Sequence, residues 1–390
     1  MSRIEGKWLL LVAALALGEG VGGCFSRGAS LWPLALLFAL FIALVGYGYR
    51  LRGWPYLLVA ALALALVFHA SLAREEEFRR SPWLRNRAFQ SSTSRSSVRP
   101  FAESFRADLS ARVGLGLDAV RETAVLNRAI LLGERSNLPK ATKQVFIESG
   151  TIHIFAISGL HVMIVARLIM FLVALAFVPY RLQGAITLPF VWGYVFLIGA
   201  SPSAVRAATM ASFYLFAPLL SRRPNGLVSW ALAFLLAHLV NPLQILDVGS
   251  QLSFAVMLAL ILASRYAGGF FITFAAWAAG VPIAAMVFGR ITPGGLIANL
   301  VLIATAGYSV VAGAVGALVS YLSETLAIHF NNLSALLTDS MVLVSNLVSR
   351  LPGANFEIEP WGFFECTLWY AAFALSLVLL SLVRARRNLI

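Results

Sequence analysis

Apolar stretches close to the length of a bilayer crossing recur along almost the whole chain, and this recurrence constrains the fold more than any other feature. They fall at residues 8–25, 31–49, 54–72, 154–178, 184–200, 203–220, 226–240, 248–264, 269–289, 294–320 and 361–383. About 20 apolar residues in a helix cover the hydrocarbon core of a membrane. Inside that core every backbone N–H and C=O needs a partner within the protein, so each run is expected to be helical. Pro189, Pro202, Pro218 and Pro282 interrupt several runs. Such breaks are tolerated where a neighbouring helix or a wet cavity satisfies the freed backbone groups. The expected fold class is all-α, a polytopic transmembrane bundle of about 10–11 spans with one or two interfacial amphipathic helices.

Composition supports this class and excludes a soluble globular enzyme. Hydrophobic residues make up 60% of the chain and charged residues 12%, against roughly 45–50% and about 25% in soluble domains. Too few polar groups remain to cover a water-facing surface of this size. The formal charge of +13 comes almost wholly from arginine, because lysine occurs only at Lys7, Lys140 and Lys143. Such a bias fits either genomic base composition or a surface that meets phosphate. Cys24 and Cys366 lie in or beside apolar runs and make neither a disulfide framework nor a zinc site. The basic start followed by an apolar stretch resembles a signal peptide; further spans follow directly, so it is read as a retained helix.

Four segments follow from this pattern: N-terminal transmembrane helices at 1–72, a basic loop and amphipathic helix at 73–150, a transmembrane core at 151–322, and an interfacial helix with a C-terminal span at 323–390. Residues 71–143 differ in kind, holding fourteen of the thirty cationic side chains against eight acidic ones. Ser81 to Pro100 reads as loop. Beyond it, Phe101, Phe105, Leu109, Val113, Leu117, Val120, Ala124 and Leu131 mark a helix lying flat on the membrane, with Arg106, Arg112, Arg121 and Arg128 off the apolar stripe. A similar helix is expected at 324–349, with Leu326, Phe330, Leu333, Leu337, Met341 and Val344 on its apolar face.

Basic residues favour the cytoplasm, which places Arg3 and Lys7, Arg50 and Arg52, and Arg222 and Arg223 there. Three preceding spans then put 71–143 outside. Eleven spans would carry Arg384, Arg386 and Arg387 outside as well, against the same rule.

Ionisable groups inside spans are costly and therefore candidates for function. His153, Ile157 and His161 are spaced by four, so both imidazoles could face one way. Packing, a permeation path or a metal site short of further ligands all fit that spacing. Arg206 sits one turn inside a helix that Ser201-Pro202-Ser203 opens. It either snorkels to headgroups or turns inward to a phosphate or buried carboxylate. Asp247 and Gln251 head another span beside Ser250 and Ser253. Asp247 reads as an N-cap or as a partner of Arg206. Glu19, His69 and His238 carry no assignment, and no nucleophile–base pair suggests an enzyme.

The run His153-Ile154-Phe155-Ala156-Ile157-Ser158-Gly159-Leu160-His161-Val162 resembles the signature of ComEC-type competence proteins. Three further segments resemble that family in its order: Ser203-Ala204-Val205-Arg206-Ala207-Ala208-Thr209-Met210; Asn241-Pro242 with Asp247-Val248-Gly249-Ser250-Gln251-Leu252-Ser253-Phe254; and Pro282, Phe288-Gly289 and Pro293 through Asn299-Leu300. The resemblance covers roughly residues 125–320. It implies a channel in the cytoplasmic (inner) membrane that passes single-stranded DNA during natural transformation. His153, Ser158, Gly159, His161, Arg206, Asp247, Gln251, Ser253 and Asn299 are its candidate functional positions, with no cofactor, metal or catalytic residue. Family members often add an oligonucleotide-binding-like domain and a metallo-β-lactamase-like domain. The five scattered histidines and the short irregular stretch at 71–100 match neither. The implied partners are therefore single-stranded DNA, the lipid bilayer, a separate nuclease and an ATP-driven motor, with a homo-oligomer also compatible. A transporter of another anionic solute or polymer, or a non-transporting relative, are the alternative functions.

Overall fold

The computed structural model describes residues 99–376, apart from 118–119, 156–157, 241–243, 245–246, 265–268, 363 and 374. The expected spans at 8–25, 31–49 and 54–72, the loop at 81–98, Glu19, Cys24, His69 and the C-terminal arginines lie outside the described residues. The chain divides into two compact units: residues 98–224 and 255–390 build one, and residues 225–254 belong to the other.

The larger unit begins with α1 (Arg99–Val113), α2 (Arg121–Leu132) and α3 (Lys140–Glu148), followed by a 3-10 turn at Ile152–Phe155. It continues through α4 (Gly159–Leu175), α5 (Tyr180–Leu197) and α6 (Pro202–Phe216). The second unit contains α7 (Gly226–Val240) and the start of α8 (Val248–Ala263). The larger unit resumes with α9 (Phe270–Phe288), β1 (Arg290–Ile291), α10 (Gly294–Val319), α11 (Glu324–Ser349) and β2 (Phe356–Glu357). By length and composition alone, α9 and α10 are long and apolar enough to cross a membrane. Residues 159–175, 226–238 and 248–263 form shorter apolar helices.

The single amphipathic helix expected at 101–131 is two helices. The chain turns at Gly114–Leu117, where Gly116 takes a positive φ of 78° that a side chain would strain. α1 and α2 then pack together, with Arg106 Nη2 donating to the Leu132 carbonyl at 2.8 Å and Arg128 Nε to the Ser110 carbonyl at 2.9 Å. Leu109, Val113, Leu117, Ala124 and Leu131 are buried as the spacing suggested, whereas Phe105 and Val120 are exposed.

α11 is helical where expected, and its buried face is turned by roughly a quarter-turn from the expected one. Ala327, Asn331, Ser334, Thr338, Met341, Ser345 and Val348 are buried. They recur at steps of four and three along the contact with α10. Of the six residues on the expected apolar face, only Met341 is buried; Leu326 and Leu333 point outward. The reason is close approach. On α10, an added Cβ on Gly316 would lie 2.5 Å from Asn331 Oδ1, and one on Gly313 2.5 Å from Leu131 Cδ1. Small residues let the backbones come near enough for hydroxyls to bond across helices. Ser309 and Ser334 share a hydrogen bond at 3.0 Å, Ser309 and Thr338 another at 3.2 Å, and Thr338 Oγ1 donates to Asn127 Oδ1 on α2. Asn331 Nδ2 donates to the carbonyls of Arg112 and Leu115 at 2.8 and 3.1 Å. The α10–α11 hairpin is closed at its far end, where β1 pairs antiparallel with β2 and Arg290 bonds to Glu357.

Candidate functional site at the capped ends of three helices

Ser158 stands immediately before α4, in extended conformation (φ −110°, ψ 175°), and its Oγ accepts the Leu160 N–H at 3.3 Å. His161, three residues on, returns the favour: its Nδ1 accepts the Ser158 N–H at 3.3 Å. The pair forms a capping box in which an imidazole replaces the usual Glu or Gln, satisfying donors that a helix start leaves orphaned. Because Nδ1 is the acceptor, the neutral ring carries its proton on Nε2, a tautomer assigned from this hydrogen bond. His161 is 1% exposed. His153 lies on the preceding 3-10 turn and is exposed. The two histidines therefore do not share a helix face, because the helix begins only after the Ser158 cap. No cluster of three or more metal-ligating side chains occurs among the described residues.

Ser201 opens α6 in the same manner. Its Oγ accepts the Ala204 N–H at 3.4 Å, and Pro202 occupies the first turn, where a missing N–H costs nothing. α4 and α6 meet at their starts: a Cβ on Gly159 would touch Ala207 Cβ at an ordinary 3.5 Å. Arg206, beside Ala207, is 6% exposed. Its guanidinium is turned into the protein, which removes the snorkelling alternative within this structure. Ser158, Gly159, His161 and Arg206 thus share one neighbourhood.

The far ends of the same helices also converge. Met170 of α4, Tyr180 and Gly184 of α5, and Tyr214, Leu215 and Pro218 beside α6 surround one small pocket with Pro224. α5 therefore runs antiparallel to α4 and α6, which are parallel to each other. Arg181, Arg222 and Arg223 lie at this end; α1 and α2 lie at the other, where Tyr194 Oη of α5 donates to the Leu131 carbonyl.

Asn299 lies on the second turn of α10, and its buried Oδ1 has no hydrogen-bond partner among the described residues. Asp247, Gln251 and Ser253 belong to the other unit. Asp247 Oδ2 accepts the Ser250 N–H at 2.7 Å, and the Gln251 N–H bonds to the Asp247 carbonyl at 3.0 Å, so Asp247 caps α8. In that unit His238 Nδ1 bonds the Phe234 carbonyl at 2.7 Å, and its ring packs against Phe234 at the edge of the Phe234–Phe254 pair.

Sequence reasoning passed over Arg135 and Lys143, which line a cleft with Leu138, Ile152 and Phe155. The signal available was the placing of two of three lysines, Lys140 and Lys143, within four residues.

The family model described as competence protein matches residues 130–383 of this chain. ComE operon protein 3 of Bacillus subtilis (strain 168) is 33% identical over 137 residues, 35% of this chain and 18% of the relative. Uncharacterized protein YcaI of Escherichia coli (strain K12) is 31% identical over 138 residues, 33% of this chain and 18% of that protein. The match thus spans less than a fifth of the length of either curated relative. No solved structure matches.

Proposed function

The chain belongs to the competence protein family, and from that premise we propose that it is a multi-pass bundle of the cytoplasmic membrane that conducts single-stranded DNA during natural transformation. The observation that carries this reading is inverted polarity. On α4 and α5, Phe171, Phe190 and Phe196 are 60%, 58% and 62% exposed, while Arg206 and His161 beside them are 6% and 1% exposed. In water such an arrangement is costly on both counts. In lipid it is the favoured one, with phenyl rings toward acyl chains and ionisable groups toward the bundle.

The end carrying Arg181, Arg222 and Arg223 belongs in the cytoplasm by the positive-inside rule. The opposite end, with the Ser158–His161 box, the start of α6 and the helices α1–α3, then faces outward, where a strand arrives. A polyanion needs cations and hydrogen-bond donors along its route; Arg206 supplies both at a buried position. His153, Asp247, Gln251, Ser253 and Asn299 are kept as candidate lining residues. A separate nuclease and an ATP-driven motor would provide strand degradation and energy.

The direct test is reconstitution. Purified protein in liposomes is expected to admit labelled single strands, and Arg206→Gln to reduce entry at least tenfold, about 1.4 kcal/mol at the limiting step. Normal transformation in a deletion strain would sink the proposal, as would equal entry of strands into protein-free vesicles.

A further inference from the structure

Beside the Ser158–His161 box, the chain from the end of α2 to the 3-10 turn folds around a cleft of about 120 Å³. Roughly 10–15 Å³ suffices for one water, so the space accommodates a hydrated or bare tetrahedral anion. Its walls are the hydrocarbon of Leu138, Ile152 and Phe155, and its two charged side chains are Arg135 and Lys143. Among the described residues, the carboxylates of Glu122, Glu134 and Glu148 each have a hydrogen-bond partner outside the cleft. Glu134 accepts from Ser110 at 3.0 Å and pairs with Arg106 at 3.7 Å; Glu148 accepts from Gln144 at 2.7 Å; Glu122 accepts from Thr142 at 2.8 Å. Among the described residues neither Arg135 nor Lys143 forms an ion pair. Burial already holds the Arg135 guanidinium below its ordinary pKa, the mark of a cation partly stripped of water with no anion supplied in exchange.

We propose that this cleft is a phosphodiester-binding subsite, in which Arg135 and Lys143 hold one phosphate of an incoming single strand at the outward mouth of the bundle. The inference rests on the reading given under Proposed function and adds the residues that capture the strand. Arg135 supplies a planar fork for two phosphate oxygens, and Lys143 a point charge.

Full-length protein in detergent is titrated with a fluorescent oligothymidylate across a range of salt concentrations. Each phosphate contact contributes about 0.7 to the slope of log K against log salt for single strands. Arg135→Gln with Lys143→Gln is expected to lower that slope by about 0.7, the share of one phosphate, and to weaken low-salt binding. Arg135→Lys with Lys143→Arg is expected to restore most of the slope, which a merely misfolded variant would not. An unchanged slope in the Gln pair overturns the subsite and leaves the conduit reading standing. Failure of the wild-type chain to bind the oligonucleotide overturns both. Repeating the titration in nanodiscs decides the phosphate's source. If anionic headgroups abolish the difference between wild type and the Gln pair, while zwitterionic ones preserve it, the cleft is a lipid site and the proposal fails.

Discussion

Gly184 shows how little tolerance single positions have where helices touch. A Cβ there would lie 2.0 Å from the Leu215 carbonyl oxygen, backbone that cannot step aside. Gly184→Ala is expected to cost about 1–3 kcal/mol as overpacking, read as a lowered denaturation midpoint in detergent. Gly193, on the same helix, has nothing within 4 Å of such a Cβ. Gly193→Ala should be neutral or stabilising by up to about 1 kcal/mol, and an equal loss at both sites would refute the steric account. Asp108 provides a pH-dependent contact. Arg112 Nε donates to it at 2.8 Å and Tyr321 Oη at 2.6 Å, and these hydrogen bonds hold its carboxyl below the ordinary 3.8. A lowered folded pKa means the contribution is present above the ordinary value and lost as pH falls through the lowered one. Thermal stability should therefore drop only on the acid side of about 4, and Asp108→Asn should flatten that limb. A drop at neutral pH that Asp108→Asn abolished would contradict the assignment.

At the scale of elements, the buried hydroxyl seam of α10 and α11 is the most exposed to test. Thr338→Val keeps the shape and deletes the donor to Asn127 Oδ1, leaving a buried acceptor short of its bond. A loss of about 1–3 kcal/mol is expected in a denaturant titration, and Ser340→Ala, on a half-buried hydroxyl bonded only to its own helix, should change little. That seam also marks the limit of what sequence can reveal. The predominantly apolar runs at 226–240, 248–264 and 269–289 read as helices, and the helices fall within a residue or so of those bounds. Ser334, Thr338 and Ser345 look like a solvent face until a glycine-bearing partner is known, because small polar residues serve water and close helix contacts equally well. The cap at Ser201 is legible in the run Ser201-Pro202-Ser203, whereas the expected span 154–178 runs straight through the cap at Ser158 and the histidine's part in it. Arg135 and Lys143 become neighbours only through the fold of the intervening loop, which no periodicity encodes.

For the molecule as a whole, the antiparallel run of α4, α5 and α6 ties orientation to chemistry. With both native cysteines replaced by serine, Ser136→Cys should react with a membrane-impermeant maleimide on intact cells, and Arg222→Cys only after permeabilisation. The reverse pattern would put the cleft and the capped helix ends on the cytoplasmic side and end the entry-mouth reading, whatever the substrate.

The pairing of Arg290–Ile291 with Phe356–Glu357 has a mechanical consequence. Two helices mated through repeating small side chains offer nearly equivalent alignments one heptad apart, and a pair joined at a single end could ratchet between them. Here a tight connection at Ser320–Ser323 ties one end and the two-residue ladder ties the other. Sliding is blocked in both directions. The pair can tilt or swivel only in one piece, as a strut.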